Sequence, residues 1–67
     1  MYKIDVEREL EGRWIAEVPE LPGVMAYGQT RDEAVRRAQS LSFHVLAERL
    51  DNGEEPPQAQ FVFSVVA

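Results

Sequence analysis

One stretch limits what this sequence can become. Apolar or small residues recur at Ala34, Val35, Ala38, Leu41, Ser42, Val45, Leu46 and Leu50, at the three- and four-residue spacing of a helix with one apolar face. Its start is written in the residues before it. Thr30 followed three positions later by Glu33 fits a capping box, and Asp32 and Glu33 fall at the positive end of the helix dipole. Asn52-Gly53 closes the run, because Gly53 accepts the positive φ of a helix C-terminus. The result is a rod of about twenty residues, roughly 30 Å long at 1.5 Å per residue. On its outer side Asp32–Arg36 and Glu33–Arg37 are spaced for i,i+4 ion pairs.

The rest of the chain reads as strands and turns. Tyr2, Ile4 and Val6 alternate with Lys3, Asp5 and Glu7, the pattern of a strand with one wet face. Glu11-Gly12 supplies a turn. A second strand over Arg13 to Val18 puts Trp14, Ala16 and Val18 on one face and Ile15 and Glu17 on the other. In Pro19-Glu20-Leu21-Pro22-Gly23 two prolines remove backbone donors and Gly23 permits a tight bend. The segment must leave the sheet and return, as a short third strand at Val24 to Tyr27 ended by Gly28. After the helix, Pro56-Pro57 breaks a polar connection, and Phe61 to Val66 forms a last strand with both faces largely apolar. The expected fold is a two-layer α+β domain, β-β-β-α-β, spanning residues 1–67. Three strands make an antiparallel meander, and a right-handed crossover sets the fourth parallel to the first, giving the order 3-2-1-4.

Size and charge bound the function. The chain has 67 residues, and domains this small are marginally stable without a disulfide, a metal or an oligomer. It has no cysteine and one histidine, His44, and no calcium-loop spacing. Self-association is the remaining device, as a dimer or a higher homo-oligomer. Twelve acidic residues against seven basic give a net charge of −5. That argues against phosphate-led binding of nucleic acid and against an anionic membrane surface. A basic protein partner fits better. The start, MYKIDVERE, has no apolar core of a signal peptide, and no run is long enough to span a membrane. A cytoplasmic protein is expected.

With this order of elements in place, the residues resemble a known family. Glu17-Val18-Pro19-Glu20-Leu21-Pro22-Gly23, then Tyr27-Gly28-Gln29-Thr30, then Asp32-Glu33-Ala34, look like the signature of HicB-type antitoxin domains over most of the chain, from Tyr2 to Pro57. The resemblance implies a partial ribonuclease-H-like β-β-β-α-β unit. It also implies an antitoxin that neutralises a small RNA-cleaving toxin of the HicA type. This chain has Val24 where the family usually has cysteine, and Gln29 where it usually has aspartate. Many members carry a further DNA-binding module. Here the sequence stops at Ala67 after the last strand, so direct operator binding is not expected.

No enzyme site, metal site or cofactor is expected. A two-metal nuclease needs carboxylates from the first strand, the helix and the last strand about 4 Å from shared metals. Asp5 could be one, and Glu33 or Glu48 another, but Phe61 to Ala67 supplies no acid. No nucleophile with a base is legible beside His44, which reads as a half-exposed helix residue. Phe43 lies off the apolar stripe, near Leu46, Ala47 and Leu50, and is a candidate for a partner contact. Ile15, Met25, Tyr27, Val62 and Val66 are expected on the sheet face opposite the helix. Met25, Tyr27, Phe43, Val62 and Val66 are therefore the candidate oligomer or partner interface, and the last strand or this sheet face is expected to build a homodimer. The leading functional reading is a non-catalytic antitoxin-like binding module. The alternatives are a stand-alone oligomeric protein of the same fold with an unrelated partner, and a degenerate nuclease.

Overall fold

The computed structural model describes residues 2–54 and 66. Three antiparallel strands, β1 (Asp5–Arg8), β2 (Trp14–Glu17) and β3 (Met25–Gly28), form one sheet in the order β1-β2-β3. One helix, α1 (Arg31–Asp51), packs on one face of it, lying over β3 and β2 more than over β1. The α+β class and the antiparallel meander are as the alternation implied. The expected fourth strand lies outside the described residues, apart from Val66, which is exposed.

Each strand is shorter than or displaced from its sequence reading. β1 begins at Asp5 rather than Tyr2, and β2 covers only Trp14–Glu17. The pairing explains this: the ladder between them runs only from Asp5 opposite Glu17 to Arg8 opposite Trp14. Tyr2 and Ile4 still pack against the core without a ladder partner. β3 includes Gly28, which pairs with Trp14.

Gly28 sets how close the helix comes. It is buried on the helix side of β3, and a Cβ there would lie 2.5 Å from the Ala34 backbone nitrogen. The obstacle is backbone, which cannot swing aside. The helix therefore starts almost in contact with the strand, and only small side chains fit below it. Ala16, Ala34 and Ala38 are fully buried there, edged by Ile4, Val6, Trp14 and Ala26. Arg37 ties the same turn down by donating from Nη1 to the Tyr27 carbonyl at 3.0 Å.

The helix start follows the capping-box reading with one shift. Thr30 is the N-cap, and its Oγ1 accepts from the Glu33 N–H at 3.1 Å. Glu33 Oε1 accepts in return from the Gln29 N–H at 2.9 Å, one residue earlier than the usual box. Glu33 also pairs with Arg37 at 3.4 Å. The other expected pair, Asp32–Arg36, does not form among the described residues. At the far end the Gly53 and Glu54 N–H groups bond to the Leu50 and Arg49 carbonyls, with Gly53 at φ 81°. That is the left-handed closure expected of Asn52-Gly53.

The second half of α1 runs past the strands and rests on the β2–β3 link. Val18, Leu21 and Val24 are almost wholly buried, and Leu41, Val45 and Leu46 pack on them with Tyr2 and Ile4. The link folds back through bonds from Val18 N–H to Val24 O, Leu21 N–H to Val18 O and Val24 N–H to Leu21 O. Pro19 and Pro22 lie exposed, where a missing donor costs nothing. Leu50, expected on the apolar stripe, is 44% exposed instead. It lies beyond the link and turns toward the outer side.

Two stability outcomes follow. Gly28→Ala should cost about 1–3 kcal/mol, toward the upper end because the clash is with backbone. Leu21→Ala should cost about 2–5 kcal/mol as a large-to-small core change. Urea titration followed by circular dichroism measures both; a Leu21→Ala chain as stable as the parent would show that the link is not core.

Candidate functional site: the open sheet face

The strand register builds the face opposite α1 row by row. Asp5 stands opposite Glu17, and Glu17 opposite Met25. Glu7 stands opposite Ile15, and Ile15 opposite Tyr27. Successive side chains alternate across a sheet, so these six share one face, as expected for Asp5, Glu7, Ile15, Met25 and Tyr27. Met25 is 45% and Tyr27 39% exposed. Nothing among the described residues covers this face. A shallow concavity of about 320 Å³ lies between β1 and β2, lined by Asp5, Val6, Glu7, Ile15 and Glu17.

The electrostatics of this face are lopsided. Asp5 and Glu17 are directly opposed like charges, an arrangement that destabilises a sheet. Glu7 adds a third carboxylate beside them. Two cations lie nearby: Lys3, two residues before Asp5, is exposed and forms no ion pair among the described residues, and Arg13 is engaged. Its guanidinium lies 4.0 Å over the Tyr27 ring and reaches Glu9 at 2.9 Å. The hydrogen bond that it donates to Glu9 raises its pKa above the ordinary arginine value. Arg13 thus orders Tyr27 at one end of the face, while Asp5, Glu7 and Glu17 form no ion pair among the described residues. Sequence reading did not single out Arg13. Its position two residues before Ile15 on a hairpin was the available signal.

The remaining candidates separate. Phe43 is 68% exposed on the outer side of α1, across the helix from the core and away from Met25 and Tyr27. Val62 lies outside the described residues, and Val66 is exposed with no described element beside it. Of the candidate interface residues, Met25 and Tyr27 share the open sheet face and Phe43 lies on the helix layer. His44 is exposed on α1. Asp5 stands on the open face, whereas Glu33 and Glu48 belong to the helix layer on the other side of the sheet, so the fold does not bring them together. Among the described residues no group of three or more metal-ligating side chains occurs, and no helix is long and apolar enough to cross a membrane.

Comparison with protein-family models, curated proteins and solved structures found no match.

The opposed carboxylates give a direct test. Glu17→Lys should stabilise the isolated chain by roughly 0.2–1 kcal/mol, by replacing repulsion from Asp5 with attraction. The gain should shrink as salt rises toward about 1 M, where the screening length is only ~3 Å. Thermal melts at low and high salt measure it; a fall in melting temperature at low salt would contradict the reading of this row.

Proposed function

We propose that the chain is a non-catalytic protein-binding domain of the HicB-like antitoxin kind. In this reading it is cytoplasmic, self-associating, and neutralises a small basic RNA-cleaving toxin of the HicA type. The observation that carries the reading is the open sheet face. It offers Ile15, Met25 and Tyr27 as an apolar contact area beside Asp5, Glu7 and Glu17. Apolar and aromatic anchors supply binding energy, and a frame of one charge selects the partner and speeds encounter. A protein that holds RNA phosphates must itself be basic, so a face of this kind would compete for the surface that holds RNA. The like charges of Asp5 and Glu17 cost stability in the free chain, and lysines or arginines of a partner would relieve that cost.

The motif from Glu17 to Gly23 and from Tyr27 to Ala34 supports the same reading by resemblance. Its glycine, threonine and leucine positions have structural work in this chain: Gly28 admits the helix, Thr30 caps it and Leu21 anchors the link. The fourth strand belongs to the proposal as well. Phe61 to Val66 would run parallel to β1, whose outer edge has no strand partner among the described residues. An unpaired edge of this kind is normally covered.

The test is co-purification from the native host, followed by assay of the recovered protein. The partner should be short and basic, should cleave RNA alone, and should lose cleavage when this chain is added. Tyr27→Ala and Glu17→Lys should each weaken the complex about tenfold or more, Glu17→Lys mainly through the association rate. Recovery of no basic partner, or cleavage untouched by excess chain, would remove the antitoxin reading.

A further inference from the structure

A second exposed surface lies on the far side of the molecule. Along the outer face of α1, Arg36, Gln39, Phe43, Leu46 and Leu50 recur at alternating steps of three and four residues. That is the spacing of a seam at which two helices pair. The seam is apolar in its second half. Phe43 is 68% and Leu50 44% exposed, with Ala47 exposed between them and Leu46 partly buried at the seam's inner edge. This stretch is where the helix has outrun the strands. The link core takes up Leu41, Val45 and Leu46 from below and leaves Phe43 and Leu50 above.

We infer that this seam pairs with the same seam of a second copy, antiparallel, across a two-fold axis between Phe43 and Leu46. The inference deepens the self-association in the proposed function and rests on it. Charge decides both occupant and direction. Asp32 and Arg36 lie on the N-terminal half of the seam, and Asp51 and Glu54 lie beside its C-terminal end; all four are exposed, and none forms an ion pair among the described residues. A parallel pair would set Arg36 against Arg36 and the acids against each other. An antiparallel pair centred between Phe43 and Leu46 does the reverse. At 1.5 Å per residue, Arg36 is about 13 Å from the centre and Asp51 about 10 Å on the other side; Glu54 follows the left-handed turn at Gly53, just past the helix end. Each Arg36 therefore comes level with the two acids of the other copy, twice over by symmetry. Glu54 is held close to the helix end by its N–H bond to the Arg49 carbonyl at 2.8 Å. Phe43 of each copy meets Leu46 and Ala47 of the other, and Leu50 meets Gln39.

The contact extends over a few helical turns, so the buried area falls near the low end of specific interfaces, roughly 1,200 Å² in total. A dimer with a micromolar dissociation constant is expected. It leaves the open sheet face free, because the two surfaces lie on opposite layers.

Sedimentation equilibrium of the full chain from about 5 to about 200 µM tests the pairing, since that range brackets a micromolar constant. Phe43→Glu should weaken self-association about 30-fold or more, as loss of a central anchor does. Arg36→Glu and Glu54→Arg should each weaken it about tenfold, and the two together should restore it to within about twofold, because the charges exchange places. Circular dichroism should show the same helix content in every variant, since all three side chains are exposed. A dimer that survives Phe43→Glu but separates on Met25→Glu overturns this placement and leaves self-association standing. A double charge exchange that fails to restore binding overturns the antiparallel register. A chain that stays single at the highest concentration overturns the pairing altogether, and capture of a basic partner by the sheet face is then judged on its own assay. A single chain whose melting temperature falls on Phe43→Glu assigns the seam's cover to the chain's own residues 55–67, and also overturns it.

Discussion

The near-contact between the start of α1 and β3 organises this molecule. Gly28 has no side chain, and the Ala34 backbone occupies the space one would need. Ala16, Ala34 and Ala38 continue that close seam under the helix. Packing is tight there, but small side chains bury little apolar area each, and hydrophobic stabilisation scales with area. The larger contribution has to come from elsewhere. It comes from the link between β2 and β3, where Val18, Leu21 and Val24 take the second half of the helix. A segment with the composition of a surface loop is thus the thickest part of the core. Its two prolines and Gly23 bend the backbone so that three apolar side chains point inward while the polar and proline positions face water.

This arrangement has consequences on both outer surfaces. Among the described residues there is one helix, and it covers one side of the sheet only. The strand positions of the open side carry opposed carboxylates next to Ile15, Met25 and Tyr27, a combination that lowers the stability of the free domain and suits a cationic partner. On the other side, a 21-residue helix lies on strands of four residues each. A helix of that length reaches past the sheet, and its last turns expose Phe43 and Leu50 on the side away from the link. The two surfaces belong to opposite layers. Self-pairing through the helix and capture of a partner through the sheet, as proposed, would not compete for space, and a dimer would present two acidic faces outward.

What was legible in the sequence was local or strictly periodic. Thr30 and Glu33, three apart, marked the helix start because capping satisfies backbone donors within one turn. Asn52-Gly53 marked its end for the same local reason, through a positive φ. The alternation of Asp5–Glu7 and of Trp14–Glu17 assigned sheet faces, since a strand has a period of two whatever it packs against.

Other features depended on which distant groups meet, and no single segment encodes that. The strand ends were set by where the ladder between β1 and β2 stops, not by where alternation stops. Leu21 is core and Leu50 is exposed, although both are leucines in plausible apolar positions; the difference is that α1 packs over Leu21 while Leu50 meets solvent. Arg13 holds Tyr27 because the hairpin turn and the β2–β3 register bring them to 4.0 Å. Asp32–Arg36 has the spacing of an ion pair and does not form one, while Glu33–Arg37 does, because Glu33 is already held by the Gln29 N–H and Arg37 by the Tyr27 carbonyl. The amino-acid order alone thus marked β1, β2, β3 and α1 and the faces they present. Tertiary packing decided which apolar residues became core and which charges remained uncompensated, because burial and pairing are properties of neighbours far apart in the chain.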